Sequence, residues 1–415
     1  MNSIENTLTL NDAVRLTGPV SFNIMLKPGG SRCNLNCRYC YYLDKADIYG
    51  GRESAMSEQM LETIVREYIA ANQVAEVTFN WHGGEPLLMG LEFFRKALEF
   101  EAKYADGKKI NNTIETNGVL MTREWADFFS HNGFLVGISI DGPQDIHDKF
   151  RRDRGGNPSF DKVMRAVNLL QTSGVAFNTM STVNKASEGR GLEVYRFLKA
   201  IGARYMQFMP VVEHVKDGRI VDPFTDGAQI ASWSVSDLGF GQFLCDIFDE
   251  WVRGDVSRYF VGQFDAALAS WCGVPPGICV FSETCGGNAV IEHNGDIYPC
   301  DHFVYPKYLL GNISQTSLPA IMASDAQVRF GIDKRNTLPS VCRKCQWLFA
   351  CNGECPKHRF NHTERGETGL NTLCRGYKMF FSHAAPYLDV MKSLLRQGLS
   401  PAGVIPWARS IKKDR

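Results

Sequence analysis

The sequence predicts an α/β fold, a partial (β/α)6 TIM-like barrel followed by a smaller cysteine-rich domain. Three observations predict it. Strand-like and helix-like segments alternate through the first half of the chain, cysteines crowd together after residue 278 among short elements, and 415 residues exceed what one core usually supports.

The first strand is expected over residues 20–26, where polar and apolar side chains alternate and run straight into a cysteine loop. Ser57 stands where an N-cap is wanted for a helix through about residue 71, and residues 76–81 return as a strand. The unit then repeats. Helix 91–104 leads to strand 112–116, helix 122–132 stops at Gly133 before strand 134–140, a helix from Ser159 to Gly174 precedes strand 175–183, and helix 191–201 precedes strand 205–209. Six strands alternating with helices imply a parallel sheet with right-handed crossovers, closed or partly closed as a barrel, with function at the C-terminal strand ends.

The pattern changes after residue 210, and the chain divides into residues 1–210 as the barrel core, 211–275 as linker and buttressing helices, 276–376 as the cysteine-rich domain and 377–415 as a helical tail on the barrel. Residues 240–252 read as an amphipathic helix, and residues 290–298 as a hairpin whose Asn294-Gly295 suits a type I′ turn. The tail alternates aromatic and aliphatic residues at helical spacing, which suits packing.

With 45 basic and 45 acidic residues the chain carries no electrostatic footprint for nucleic acid or an anionic membrane. No signal-like start and no long apolar window occur, so a soluble, cytoplasmic protein is expected. Thirteen cysteines, an odd number, argue for metal ligation over disulfides in a reducing compartment.

Cys33, Cys37 and Cys40 in Cys-Asn-Leu-Asn-Cys-Arg-Tyr-Cys are three and not four. A cubic Fe–S cluster has four irons and wants a ligand on each, so three thiolates on one short loop leave one iron open for a small molecule. Structural zinc is the alternative, but no further cysteine or histidine follows until His82. The spacing resembles that of the radical S-adenosylmethionine (SAM) superfamily. That resemblance implies a 4Fe-4S cluster whose open iron chelates SAM and whose electron cleaves it to methionine and a 5′-deoxyadenosyl radical.

Eight cysteines make a second signal: Cys279, Cys285, Cys300, Cys342, Cys345, Cys351, Cys355 and Cys374, or two sets of four. Two zinc ribbons are the plain alternative. The pattern resembles the SPASM domain of radical SAM enzymes that modify peptides and proteins. The resemblance implies two auxiliary 4Fe-4S clusters, one on Cys279, Cys285, Cys300 and Cys355 and the other on Cys342, Cys345, Cys351 and Cys374. Cys245 and Cys272 remain; Cys245 reads as a buried inert thiol, and Cys272 competes with Cys279 for a ligand place.

Barrel motifs fit the same superfamily. His82-Gly-Gly-Glu-Pro86 resembles its GGEP motif, which implies that Gly83, Gly84 and Glu85 lie along the SAM amino group. Glu115-Thr-Asn117-Gly and Ser139-Ile-Asp141-Gly also end strands, where Asn117, Ser139 and Asp141 serve either SAM or an Asx-type turn. Tyr39 matches the aromatic that abuts adenine, Tyr42 lies just beyond, and Arg152 is taken with Arg151 and Arg154 for the SAM carboxylate.

Asp301, directly after Cys300, is the expected catalytic base. Removing hydrogen from a substrate carbon leaves a proton and an electron, and a carboxylate beside a cluster ligand gives both a destination. Repulsion from the neighbouring thiolate is expected to raise its pKa.

The stretches Cys300-Asp-His-Phe-Val-Tyr-Pro-Lys, Cys351-Asn-Gly-Glu-Cys-Pro-Lys-His and Cys374-Arg-Gly-Tyr-Lys-Met-Phe-Phe resemble the anaerobic sulfatase-maturating enzymes, over nearly the whole chain. The resemblance implies oxidation of a sulfatase Cys or Ser to Cα-formylglycine. It also implies an unfolded or nascent sulfatase segment bearing Cys/Ser-x-Pro-x-Arg as partner, and a reductase or a flavodoxin or ferredoxin as electron donor. One departure stands out: Gly353-Glu354 replaces the Gly-Gly frequent in the family. The rivals are a SPASM enzyme that forms thioether or carbon–carbon cross-links and a zinc-stabilised binding protein.

Overall fold

The computed structural model describes residues 21–49 and 55–411; Val20, the expected first residue of the first strand, lies outside them. Strands β1 (Asn23–Lys27), β2 (Glu76–Trp81), β3 (Lys109–Thr116), β4 (Leu135–Ser139), β5 (Phe177–Val183) and β6 (Tyr205–Pro210) lie side by side in chain order, all parallel. Helices α1 (Glu58–Ala71), α2 (Leu91–Tyr104), α3 (Arg123–His131), α4 (Gln144–Phe150), α5 (Phe160–Thr172) and α6 (Gly191–Ala200) make the crossovers. Alternate residues of each strand meet the helices: Val77, Phe79 and Trp81 of β2 are buried, and Trp81 meets Phe94 of α2 edge-on at 5.5 Å. Thr78 and Asn80 between them are half-buried, a set of polar positions that the opposite face of a curved sheet tolerates.

Helix starts follow local chemistry. Ser57 Oγ accepts from Met60 N at 3.1 Å, and Thr122 Oγ1 accepts from Trp125 N at 3.4 Å. Ser159 does not cap its helix as expected. Its hydroxyl donates to Arg151 O at 2.8 Å, and Asp148 of α4 instead accepts from Ser159 N and Phe160 N at 2.9 and 3.0 Å.

Residues 211–235, expected as linker, hold a small antiparallel sheet of β7 (His214–Lys216), β8 (Arg219–Ile220) and β9 (Gln229–Ile230). Helix α7 (Asp237–Gly254) contains the expected amphipathic stretch, begins with Ser236 accepting from Gly239 N at 3.2 Å, and is followed by β10 (Phe260–Val261) and α8 (Gly262–Cys272). The long tail helix α9 (Cys374–Arg396) lies on α7 at a crossing with no room for side chains. A Cβ on Gly241 would fall 2.6 Å from Gly376 Cα.

The main sheet does not stop at six strands. β10 pairs in parallel with β6, and β11 (Asn288–Glu292) pairs in parallel with β1, from Asn23 opposite Asn288 to Lys27 opposite Glu292. β12 (Asp296–Tyr298) and β13 (Gly311–Asn312) continue antiparallel beyond it, giving ten strands. The hairpin read at Asn294-Gly295 is present, but it extends the barrel sheet and covers the β1 edge, which would otherwise leave its ladder groups unpaired. No helix of the described residues is long and apolar enough to cross a membrane.

Candidate active site

The loop leaving the C-terminal end of β1 carries Cys33, Cys37 and Cys40. Backbone fixes it on both sides. Gly84 N donates to Gly30 O at 2.9 Å and Glu85 N to Arg32 O at 2.7 Å; Asn36 N donates to Arg152 O at 2.7 Å and Arg154 Nε to Cys33 O at 3.1 Å. A Cβ on Gly84 would lie 1.9 Å from Arg32 O, so only glycine lets the two loops meet. Burial pushes the Cys33 and Cys37 thiols up to about 12 and raises Cys40 as well. Thiols held this way become thiolates only against strong positive charge, which bound iron provides. The donor set therefore fits a cluster.

The GGEP turn, Asn117 and the Asp141 region surround this loop. Glu85 is buried, burial pushes its carboxyl up to about 7, and it accepts from Leu87 N at 3.0 Å, Thr116 Oγ1 at 2.7 Å and Asn117 N at 2.8 Å. It braces the ends of β2 and β3 together. Asn117 Nδ2 reaches Cys33 Sγ at 3.6 Å and Asn34 Oδ1 at 2.8 Å, while its Oδ1 accepts from Val119 N, the expected Asx turn. Ser139 ends β4, half-buried, opposite Met180 of β5.

Three further residues have partners within the protein. Asp141 is buried and committed to protein: Tyr39 OH donates to it at 2.6 Å, Thr182 N at 3.0 Å, and Arg151 Nε lies 3.0 Å away. Tyr39 is thereby tied down inside the cysteine loop with Phe150 edge-on against it. Arg152, preferred for the SAM carboxylate, turns outward to Gly156 O at 2.9 Å, while Arg151 is the buried guanidinium beside the loop; chain direction at residue 151, invisible to sequence spacing, decides between neighbours. Tyr42 donates its hydroxyl to Glu292 of β11 and packs with Val290 and Tyr298.

Asp301 opens a short turn after Cys300 and meets the barrel at the end of β1. Lys27 Nζ, wholly buried, lies 2.5 Å from Asp301 Oδ1 and 3.3 Å from His82 Nδ1, and sits 4.0 Å above the Tyr42 ring. Tyr41 donates its hydroxyl to Asp301 Oδ2. The sequence expectation looked only to the neighbouring thiolate, and the fold adds an opposing charge. Burial alone pushes the Asp301 carboxyl up, but Lys27, with His82 and His302 behind it, holds it well below the usual carboxylate range. The sequence reading missed Lys27, Tyr41 and Glu292. Lys27 alone left a trace, as a charge at the end of an apolar alternation.

The later cysteines form two groups. The electrostatic neighbours of Cys300 include Cys279 and Cys285, and those of Cys355 include Cys300, Cys285 and Cys279. Cys342, Cys345, Cys351 and Cys374 line one pocket with Trp347, Tyr377 and Phe381. Four thiols around one pocket are a donor set that fits a cluster. Cys279 is among the first group, while Cys272 ends α8; Cys245 is buried on α7 as expected.

Residues 28–198 match the radical SAM superfamily and residues 279–346 the SPASM iron-sulfur cluster-binding domain. Fold and site define a radical SAM enzyme, with Fe–S clusters and SAM as cofactors. The chain is 48% identical over 388 residues to the serine-type anaerobic sulfatase-maturating enzyme of Bacteroides thetaiotaomicron, covering 92% of this chain and 94% of that one. It is 34% identical over 370 residues to the cysteine-type anaerobic sulfatase-maturating enzyme of Clostridium novyi, covering 87% and 94%. A solved structure described as native anSMEcpe with bound AdoMet and Cp18Cys peptide matches with a TM-score of 0.80 at 31% identity, covering 90% of this chain and 99% of that chain. The chain belongs to the anaerobic sulfatase-maturating enzymes.

Proposed function

We propose that this enzyme oxidises a Cys or Ser of a sulfatase to Cα-formylglycine, with Asp301 as the base that takes the proton from the substrate thiol or hydroxyl. The observation that carries the reading is Asp301 itself, ionised beside Lys27 and one residue from Cys300, where a departing proton and electron have adjacent destinations. When bound, SAM and the clusters supply the deoxyadenosyl radical that removes a Cβ hydrogen and the sink for the second electron.

The chain's own residues do the holding. Cys33, Cys37 and Cys40 would ligate the SAM-binding cluster. Cys279, Cys285, Cys300 and Cys355 would hold one auxiliary cluster, and Cys342, Cys345, Cys351 and Cys374 the other. Gly83, Gly84 and Ser139, at the strand ends, would border SAM, and the buried Arg151 is preferred to the outward-turned Arg152 for its carboxylate. Lys27 and Tyr41 orient the Asp301 carboxylate, and Lys357, 4.3 Å above the Tyr41 ring, fixes that ring.

The partner is read as an extended sulfatase segment bearing Cys/Ser-x-Pro-x-Arg, and the electron donor as a reductase, flavodoxin or ferredoxin. A reducing cytoplasm suits thirteen cysteines that form no disulfide among the described residues. The higher identity to a serine-type relative favours Ser in that segment. A peptide pair differing only in Ser or Cys reads the preference directly.

The deciding experiment replaces Asp301 by Asn in the cluster-loaded enzyme. SAM cleavage continues while formylglycine yield, read by mass loss from the peptide, drops by roughly 10²-fold or more. Unchanged product formation removes Asp301 from its role.

A further inference from the structure

Glu354 stands between the two auxiliary cysteine groups, one residue before Cys355 and three after Cys351. It is wholly buried and holds a backbone φ of +54°, following Asn352 at +47° and Gly353 at +70°. A non-glycine residue in the left-handed region costs on the order of 1 kcal/mol that glycine would not incur, so an observed outlier invites a question about its side chain.

That side chain is fully engaged. His358 Nδ1 lies 2.9 Å from Glu354 Oε2 and 3.1 Å from Oε1, and Asn371 Nδ2 donates to Oε2 at 2.6 Å. Its backbone is equally fixed: Glu354 N donates to Cys351 O at 2.8 Å, and Arg359 Nη2 donates to Glu354 O at 3.1 Å. Its backbone ties it to both groups, bonded to the carbonyl of Cys351 and joined through its own peptide bond to Cys355. One buried anion is thus shared by a ligand of each group.

We propose that Glu354 is a positioning residue for electron transfer: its carboxylate, fixed by His358 and Asn371 between Cys351 and Cys355, disfavours adding an electron to either auxiliary cluster and so keeps their reduction potentials low. A negative charge in a low-dielectric interior stabilises the oxidised, more positive state of a nearby cluster. A low potential suits clusters that must hand the substrate's electron onward. The inference rests on Cys351 and Cys355 serving different clusters.

The test is a redox titration followed by EPR on fully loaded enzyme, comparing wild type with Glu354→Gln, which removes the charge and keeps the shape. The midpoint of at least one auxiliary cluster rises by about 59 mV, a tenfold change in a one-electron equilibrium, while that of the SAM-binding cluster stays put. Glu354→Gly, which removes charge and backbone strain together, repeats the measurement if the Gln variant loads iron poorly. Auxiliary midpoints equal to wild type in a loaded variant overturn the proposal, and so does loss of the auxiliary clusters from both variants, which makes Glu354 an assembly residue instead. Failure of the underlying reading looks different: wild type itself would hold about 4 irons per chain and not about 12.

Discussion

The loop of Cys33, Cys37 and Cys40 and the segment of the eight later cysteines both bury thiols, yet they are held by different means. The first is held largely main chain to main chain, by Gly84 and Glu85 on one side and Arg152 on the other, with the parallel sheet behind it. The second has little regular structure behind it, and buried cations take over. Lys334 Nζ donates to Cys279 O at 2.6 Å and Val280 O at 3.0 Å, and the Arg359 guanidinium donates to the carbonyls of Gly353, Lys334, Asn352 and Glu354. A barrel prebuilds its cluster loop; the cysteine-rich segment needs side-chain clamps, and its clusters once bound, to keep its shape.

The sharpest way to break that contrast is Gly84→Ala. The new methyl collides with Arg32 O, so the SAM-binding cluster and all SAM cleavage are lost while about 8 of about 12 irons remain, as iron analysis and a cleavage assay will show. Retention of all irons and cleavage would mean the loop is not held as described.

Lys27→Met tests the junction between the regions. Asp301 now gains stability from a folded pKa below the unfolded one, present above about pH 3.9 and lost as pH falls further. Removing its cation leaves the buried carboxylate with the Tyr41 hydroxyl but no counter-charge, costing about 3–5 kcal/mol at pH 7 in anaerobic denaturant unfolding, with partial rescue by Lys27→Arg. Arg359→Met strips the clamp from four carbonyls. We expect a loss of about 3 kcal/mol and of the auxiliary irons, with SAM cleavage kept.

The smallest effect belongs to the barrel alone. Burial pushes the Glu101 carboxyl up to about 8 against the opposing bond from Asn112 Nδ2 at 2.7 Å. The unfolded chain sheds that proton near about pH 4.3, so stability falls as pH rises from there to about 8. Glu101→Gln flattens this slope, raising stability at pH 8 by about 1–2 kcal/mol and leaving pH 4 unchanged. An unaltered slope would place the pH dependence elsewhere.

Much of the site was legible because its chemistry is local in sequence. The spacing of Cys33, Cys37 and Cys40, the Gly83-Gly84 turn and the Asx turn at Asn117 each need only a few adjacent residues. Residues whose partners are distant in sequence were less legible. Nothing near Asp141 or Tyr42 in the sequence announced that the first meets Tyr39 with Arg151 and the second Glu292. Asp301 was expected to be a stronger base because only its sequence neighbour Cys300 was in view, while Lys27 lies 274 positions earlier.

The sequence by itself determined the alternation of strands and helices, the three-cysteine loop, the eight later cysteines and the family they resemble, since periodicity and ligand spacing are short-range properties. The tertiary structure decided that β11 adds to β1, that Lys27 is thereby brought onto Asp301, and that Glu354 lies between two cysteine groups. Parallel strand pairing joins segments hundreds of residues apart through backbone groups that every residue carries, so no side-chain pattern announces it.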